Sequence, residues 1–411
     1  MRVGIVGGGV IGLMCAHALR RAGAEVVVLE RGRCGQAASL GNAGWITPVL
    51  STPLPGPGVL LQGARWMLDP KSPLLVRPRL DPAFVAWCWR FARNCAAGRF
   101  EAGSRALLGL NRDTLRLFDE LRESGVEFEQ HEDGVLAVAL EEPQLEKEWK
   151  RVQQLTALGY PSRLERLDAA EARRLEPALS RRVAGAVYAA DERHVRPETL
   201  TAGLVRWLAR AGVGVREGAA VSHVRPHGRG WRLESAGEPL DVDRVVVAAG
   251  IWSKPLLAQL GTKLPLEAAK GYSLTFRAER GAPRHALMLQ EAKVGVSPFA
   301  SGLRFAGTLE LAGENLSLRP RRLDAIRKAA FDYLDCFTGS SEVAWAGLRQ
   351  FLPDGLPVIG RVPTADGVFV ATGHGMLGIT LAPATAAALT PLVLEDRLDP
   401  VLEPLRPDRR F

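Results

Sequence analysis

Apolar positions run consecutively at the start of this chain: Val3 to Val6 in RVGIV is short and β-branched, the pattern of a strand buried on both faces. Glycines follow at once, and the spacing from about Val10 to Ala22 predicts a helix. After Gly23 a second apolar run, Glu25 to Leu29, predicts another buried strand that stops at Glu30. From Asp81 to about Gly125 the pattern is helical, with Trp87, Trp89, Phe91, Leu107, Leu110, Leu117 and Leu121 at mixed intervals of three and four, and these aromatics read as core. GVEFEQHEDGVLAVAL predicts strand, turn, strand, and LERLDAAEARRLEPAL a polar surface helix. Beyond Arg182, short alternating runs recur in AGAVYAA, GWRLESAG, GYSLTFRA and ALMLQEAKVGVSPFASGLRFAGTLEL, which is antiparallel sheet material. DVDRVVVAAGIWS predicts a parallel-type strand, and DGVFVATGHGMLGITLAPATAAALTPLVLE a strand, a glycine turn and a helix beginning near Thr380.

Between these runs, RGRCGQAASLGNAGWITPVLSTPLPGPG is dense in Gly, Ser and Pro and reads as a loop too long to be a mere connector. Its small residues, among them Ser39, Gly41, Asn42, Ala43 and Gly44, let backbone amides crowd a flat ring system.

The first glycines carry chemistry. Gly7, Gly9 and Gly12 fall in the spacing G-x-G-x-x-G between a predicted strand and helix, where they serve a tight turn, a close backbone approach to a pyrophosphate, and close helix-strand packing. The helix that starts at Val10 and Ile11 aims its amides at the phosphates. Glu30, followed by Arg31, accepts hydrogen bonds from both hydroxyls of an adenosine ribose and repels a 2'-phosphate. This motif alone does not separate FAD from NAD. The order of elements does: an N-terminal fingerprint, a mid-chain strand and a C-terminal strand-helix return to one site around an inserted sheet, whereas nicotinamide enzymes usually keep a contiguous nucleotide domain. The expected fold is α/β, and α+β overall: a Rossmann-like FAD-binding domain with an inserted antiparallel-sheet substrate domain. The FAD-binding part is expected at 1–80, about 150–225, 240–262 and 355–411, and the substrate part at about 81–149 and 263–354. The helix near Thr380 points its positive end at the flavin ring, where it stabilises negative charge on the reduced form.

Composition narrows the classes. At 411 residues and 47% hydrophobic, the chain buries a large core. The net charge of +8 is spread along the chain and is almost all arginine, with lysine at eight positions, which argues against nucleic acid and leaves contact with an anionic membrane surface open. Cys15, Cys34, Cys88, Cys95 and Cys336 show no paired framework and no C-x-x-C, so free thiols in a reducing, cytoplasmic setting are expected. His17, His131, His194, His223, His227 and His285 show no ligand spacing, and no metal is expected. Apolar runs are broken by Gly, Pro or Arg short of about twenty residues. The nucleotide motif occupies the N-terminus, so that segment is not expected to be a cleaved signal; any membrane contact is peripheral, from the cytoplasmic side.

Four stretches, SLGNAGWITPVLSTPLPGPGVLLQGARWMLDPKSPLLVRP, KGYSLTF, WAGLRQFLPDGLPVIGR and GHGMLGITLAPAT, resemble the bacterial D-amino-acid dehydrogenase family, a branch of the glycine oxidase, sarcosine oxidase and D-amino-acid oxidase group. The resemblance spans nearly the whole chain. It implies non-covalent FAD, oxidation of an amino acid to an imino acid that hydrolyses to a 2-oxo acid and ammonia, and an electron acceptor such as a quinone. It places Val221 at the adenine, Ala249, Gly250 and Trp252 along the pyrophosphate and ribityl region, and Asn42, Ala43, Gly44, Trp45 and Ile46 with Gly375, Met376, Leu377, Gly378, Ile379 and Thr380 around the flavin ring. Some relatives attach flavin to a cysteine near the arginine motif; WAGLRQFLPDGLPVIG contains none, which excludes attachment there.

A substrate carboxylate must be clamped so that Cα–H faces flavin N5, and an arginine fork suits that task. Arg349 stands where the family's substrate arginine lies; the alternative is a surface arginine. Tyr272 is placed to donate to the same carboxylate, or else is a buried core tyrosine. His374 tunes the ring or the amine, or makes a structural backbone hydrogen bond. No strong acid-base catalyst is required, because positioning and electrostatics carry hydride expulsion. Where many family members read LRPMTPDG this chain has Gln350, Phe351 and Leu352, and where glycine oxidases have a second arginine it has Gly375 and Met376. One arginine clamp beside an apolar pocket suits a hydrophobic or cyclic D-amino acid, such as D-proline or a hydroxyproline isomer. Competing readings are an oxygen-using amine oxidase, a non-catalytic flavin subunit of a larger complex, and an NAD-linked dehydrogenase. Oligomeric state is not legible.

Overall fold

A computed structural model describes residues 1–67, 72–160, 162–335 and 337–411. Residues 68–71 of the family-like Pro-rich stretch, and Cys336, lie outside the described residues; Cys15, Cys34, Cys88 and Cys95 are free thiols.

The opening strand is Arg2–Val6, and it lies in the middle of a six-stranded sheet with strand order 214–216, 25–29, 2–6, 244–247, 368–372, 358–361. All neighbours are parallel except the last pair. Alternation explains why these runs are apolar throughout. Val3, Ile5, Val26, Val28 and Val246 pack under the helices on one face, while Val6, Val27, Leu29, Val245 and Val247 pack on the other. Helix Val10–Arg21 lies between helices Pro197–Arg210 and Gly378–Glu395 on the first face. A three-stranded antiparallel sheet, 221–227, 230–235 and 240–242, covers the second. The helix Gly378–Glu395 is long and apolar enough to cross a membrane by composition, yet two thirds of it is buried in this core.

The second layer is a nine-stranded sheet in the order 338–351, 267–280, 302–311, 294–299, 286–289, 135–139, 185–189, 164–168, with the short strand 74–76 beside 302–311. One face packs on helix Pro320–Tyr333 through Tyr272, Leu274, Phe305 and Ile326. The other face looks toward the nucleotide sheet.

Several local expectations change. The strand-turn-strand expected at 125–140 is no hairpin: 130–131 pairs with 193–195, while 135–139 pairs with 185–189 and 286–289. The polar stretch at 164–179 is a strand, Leu164–Asp168, followed by a short helix, Ala169–Leu175, capped by Asp168 and Glu171. The domain division shifts with them. Strands 164–168 and 185–189, expected in the FAD-binding part, belong to the larger sheet because they extend its ladder. Helices Ala97–Asn111 and Thr114–Glu123, expected in the substrate part, bury Leu107, Leu110, Phe118 and Leu121 in the core around helix Gly378–Glu395.

Candidate active site

A cavity of about 1000 Å³ runs between the two sheets, at the upper end of the size of small-molecule pockets. At one end are the three glycines. Gly7 adopts φ +113°, and a Cβ there would stand 2.5 Å from the Ala248 carbonyl. A Cβ on Gly12 would fall on the Gly7 carbonyl, so this glycine brings helix and strand together and does not line the cavity. Beside Gly9 the nearest atom to such a Cβ is Ser39 Oγ at 3.6 Å, which leaves the open approach a pyrophosphate needs. The Glu30 carboxylate lies at the tip of the second strand, accepting from Gly8 N at 2.6 Å and Gly32 N at 2.9 Å. Arg31 lies over the Trp252 ring, 3.8 Å from its centroid, and both line the cavity with Val221, Ala249 and Gly250. These residues fit the ADP half of a dinucleotide: a backbone cradle, an acid at the ribose distance along the chain, and apolar walls.

The long loop forms the next stretch of wall. Ser39 Oγ accepts from Val10 N at 3.0 Å; Val10 and Ile11 line the cavity beside it. Asn42 folds the loop back on itself, its Oδ1 accepting from Gly44 N at 2.7 Å and its Nδ2 donating to Ser39 O at 3.1 Å. Gly44 has φ +74°, and any side chain there would strike the Val195 carbonyl. Two side chains that sequence reasoning missed staple this loop to the larger sheet. Arg304 Nη1 donates to Leu40 O and Asn42 O at 3.2 and 3.0 Å, while the guanidinium pairs with Glu198. Ser297 Oγ donates to Ala43 O at 2.6 Å and accepts from Trp45 Nε1 at 2.9 Å. Opposite, Gly375, Met376, Leu377, Gly378, Ile379 and Thr380 line the cavity at the start of the last helix, and Thr380 Oγ1 donates to Trp45 O at 2.8 Å. Ile46 is fully buried and does not line the cavity; its neighbours Trp45 and Thr47 do.

Arg349 lies on the cavity face of strand 338–351. Its Nη1 donates to the Thr308 carbonyl at 2.8 Å, and no acidic side chain pairs with it among the described residues. Burial pulls its guanidinium down to about 10, still a cation at neutral pH. The sheet makes room for it with glycine: a Cβ on Gly271 would fall on Arg349 Cζ, and one on Gly347 on the Trp345 indole. These glycines, legible in KGYSL and WAGLRQ, mark the floor of the site. Beside Arg349, the cavity is walled by Phe351, Leu309, Leu311, Trp87 and Phe91, the last two stacked 5.2 Å apart. Lys293 also lines the cavity.

Tyr272 is a correction. It does not line the cavity, because alternation turns it to the opposite face of the sheet from Gly271, and its Oη donates to Glu310 Oε2 at 2.7 Å in the core beneath helix Pro320–Tyr333. His374 does line the cavity, but it is buried, its Nε2 lies 3.1 Å from Thr385 Oγ1, and burial pushes its pKa down to about 3. Burial thus holds the ring neutral at physiological pH.

Fold and cavity together define an oxidoreductase-type dinucleotide protein whose cofactor site is assembled from both ends of the chain. The family model for FAD dependent oxidoreductases (DAO) matches residues 2–392, and the chain belongs to this family. It is 34% identical to a D-amino acid dehydrogenase of Cereibacter sphaeroides over 96% of this chain and 92% of that one, and 35% identical to a D-amino acid dehydrogenase of Xanthobacter autotrophicus over 96% and 95%. Among solved structures, glycine oxidase from Geobacillus kaustophilus superposes with TM-score 0.79 at 23% identity, covering 100% of this chain and 99% of that one. L-proline dehydrogenase from P. horikoshii superposes with TM-score 0.76 at 17% identity, covering 99% and 96%. At these identities the structural likeness speaks for the fold.

Proposed function

We propose that this protein is a dehydrogenase of D-amino acids with apolar or cyclic side chains, D-proline and hydroxyproline isomers included. The observation that carries the reading is Arg349: a cation in an apolar cavity with no acidic partner among the described residues is costly until an anion arrives, and an amino-acid carboxylate supplies one in the geometry a guanidinium fork prefers. The D preference is taken from the names of the relatives. FAD, when bound, supplies the two-electron acceptor for the hydride that leaves Cα. Gly7, Gly9, Glu30, Arg31 and Val221 hold its nucleotide half, and the Asn42–Trp45 loop with the Gly375–Thr380 turn holds its ring.

Arg349 orients the substrate, Phe351 and Leu309 exclude water around its side chain, and neutral His374 adds polarity without charge. No residue of the floor is needed to remove a proton from carbon. The acceptor is a quinone-like molecule at the inner face of a membrane in a cytoplasmic setting. Supporting this, helix Val59–Met67 at the cavity rim exposes Leu60, Leu61 and Met67 beside Arg65, and helix Pro82–Asn94 exposes Val85 and Trp89 with Arg93 stacked on the Trp89 ring.

The test is anaerobic: the visible flavin band of the purified protein is followed as D- and L-amino acids, proline and its hydroxy forms included, are added singly. Bleaching by D-enantiomers alone supports the reading. A fully loaded flavin that none of them bleaches overturns it, and a stoichiometric yield of peroxide in air moves the protein to the oxidases.

A further inference from the structure

Backbone conformation around Arg349 points beyond the clamp itself. Among the described residues three non-glycine residues have positive φ, and two of them, Thr308 at 61° and Lys293 at 53°, line the cavity. The third, Asp396, caps the last helix, an ordinary place for it. A β-branched residue in the left-handed region is strained, and Thr308 has no local compensation: its Oγ1 is buried without a hydrogen-bond partner among the described residues. The strain has a visible source in the ladder. Tyr272 pairs with Gly307 but Lys270 pairs with Glu310, so strand 302–311 carries one residue more than its partner here, a β-bulge at Thr308 and Leu309. On the other edge Val294 pairs with Gly307, which puts left-handed Lys293 opposite Thr308 as the two strands part.

The product of the bulge is the direction of one carbonyl. In a regular ladder the Thr308 oxygen would bond a neighbouring strand; here it accepts from Arg349 Nη1 at 2.8 Å above the gap left by Gly271. A neutral carbonyl orients a guanidinium without cancelling its charge, which a carboxylate in the same place would do. We infer that the Thr308 bulge is a positioning device for substrate binding, holding Arg349 on an uncharged perch over Gly271 so that its remaining donors face an incoming carboxylate. This rests on the reading of Arg349 as the clamp. Thr308 is a positioning residue acting through Arg349.

Three variants of the full-length flavoprotein test it, each measured for KM and kcat with its best D-amino acid and for the Kd of benzoate from the shift in the flavin spectrum. Gly271→Ala puts a Cβ on the guanidinium and lifts it off the carbonyl. It should raise both KM and Kd about tenfold with kcat within about twofold and flavin content unchanged. Thr308→Gly takes up the same positive φ without strain, so it should melt at a higher temperature. Arg349→Gln is the reference and should lose benzoate binding. If Arg349→Gln loses binding while Gly271→Ala keeps it, or if Thr308→Gly lowers the melting temperature, the perch is overturned and the clamp stands. If Arg349→Gln binds benzoate as the wild type does, the clamp reading itself falls and takes the perch with it.

Discussion

The two faces of the larger sheet treat buried charge in opposite ways. On the cavity face of strands 267–280 and 338–351, Arg349 has only a neutral carbonyl for a partner among the described residues. On the reverse face the carboxylate of Glu310, 1% exposed, gathers Tyr272 Oη at 2.7 Å, Lys270 Nζ at 3.7 Å and Arg319 Nε at 3.1 Å. Lys270 also donates to Ser317 O at 2.8 Å, and its side chain is as buried as that of Glu310. A buried ion is tolerated when its field is answered within the fold, and this reverse face answers it with two cations and a phenol. The cavity face leaves the answer to a ligand. That difference separates a structural ion cluster from a binding site on strands that differ by a single step of register, and substitutions on each face should break different properties.

The largest effect is expected on the structural face. Glu310→Gln leaves Lys270 and Arg319 facing each other without their anion, and should cost about 3–5 kcal/mol of stability in urea unfolding while the surviving folded enzyme keeps its KM. A variant of wild-type stability would show that the cluster is not the anchor described. On the cavity face, Arg349→Gln should lower kcat/KM by about a hundred- to a thousandfold, roughly 3–4 kcal/mol of lost transition-state binding, with stability equal to or above the wild type because an unanswered cation has gone. A fall in stability on the scale of Glu310→Gln would mean that Arg349 too is a structural ion. Tyr272→Phe comes next. It removes one hydrogen bond to a charged acceptor and should cost about 2 kcal/mol of stability with KM unchanged. A rise in KM alone would return Tyr272 to the substrate.

Tyr272 also shows where sequence reasoning runs out. The nucleotide cradle was legible because its determinants are local: three glycines at fixed spacing, each needed for a backbone reason, and an acid at the end of the next strand. Arg349, singled out through its motif, and His374, beside the glycine turn, both line the cavity. The face that Tyr272 takes depends on the pairing of strand 267–280 with 302–311, some thirty residues on, and on the bulge at Thr308, which alternation within either strand does not reveal. Long-range pairing likewise decided 130–131 and 135–139, whose best partners lie fifty to a hundred and fifty residues away, so a local hairpin was the wrong solution for two correctly placed strands. Arg304 and Ser297, which tie down the Asn42–Trp45 loop, left no signal because no local motif marks either of them.

The smallest effect expected is a flat line, and it concerns two cavity groups: His374, which the sequence offered as a tuning residue, and Arg349. His374 is already neutral well below pH 5, and Arg349 keeps its proton until about pH 10. Neither changes charge between pH 6 and 9, so the Kd for benzoate should not vary across that range, and should weaken only as the pH passes about 10 and the guanidinium begins to lose its charge. His374→Asn should leave that profile unchanged. A bend near pH 6.5 in the wild type that vanishes in His374→Asn would show that the histidine titrates in the cavity and is less enclosed than its hydrogen bond to Thr385 indicates. Stability carries the same information with a sign. The folded-state pKa of His374 lies below its unfolded value, so the unfolded chain binds the proton first, and the contribution of the neutral ring is complete above pH 6.5 and is lost as the pH falls toward 3. Between pH 6.5 and 5.5 that loss amounts to about 1 kcal/mol. The same shortfall should be absent from His374→Asn, and the difference between the two urea curves isolates His374 from every other histidine in the protein.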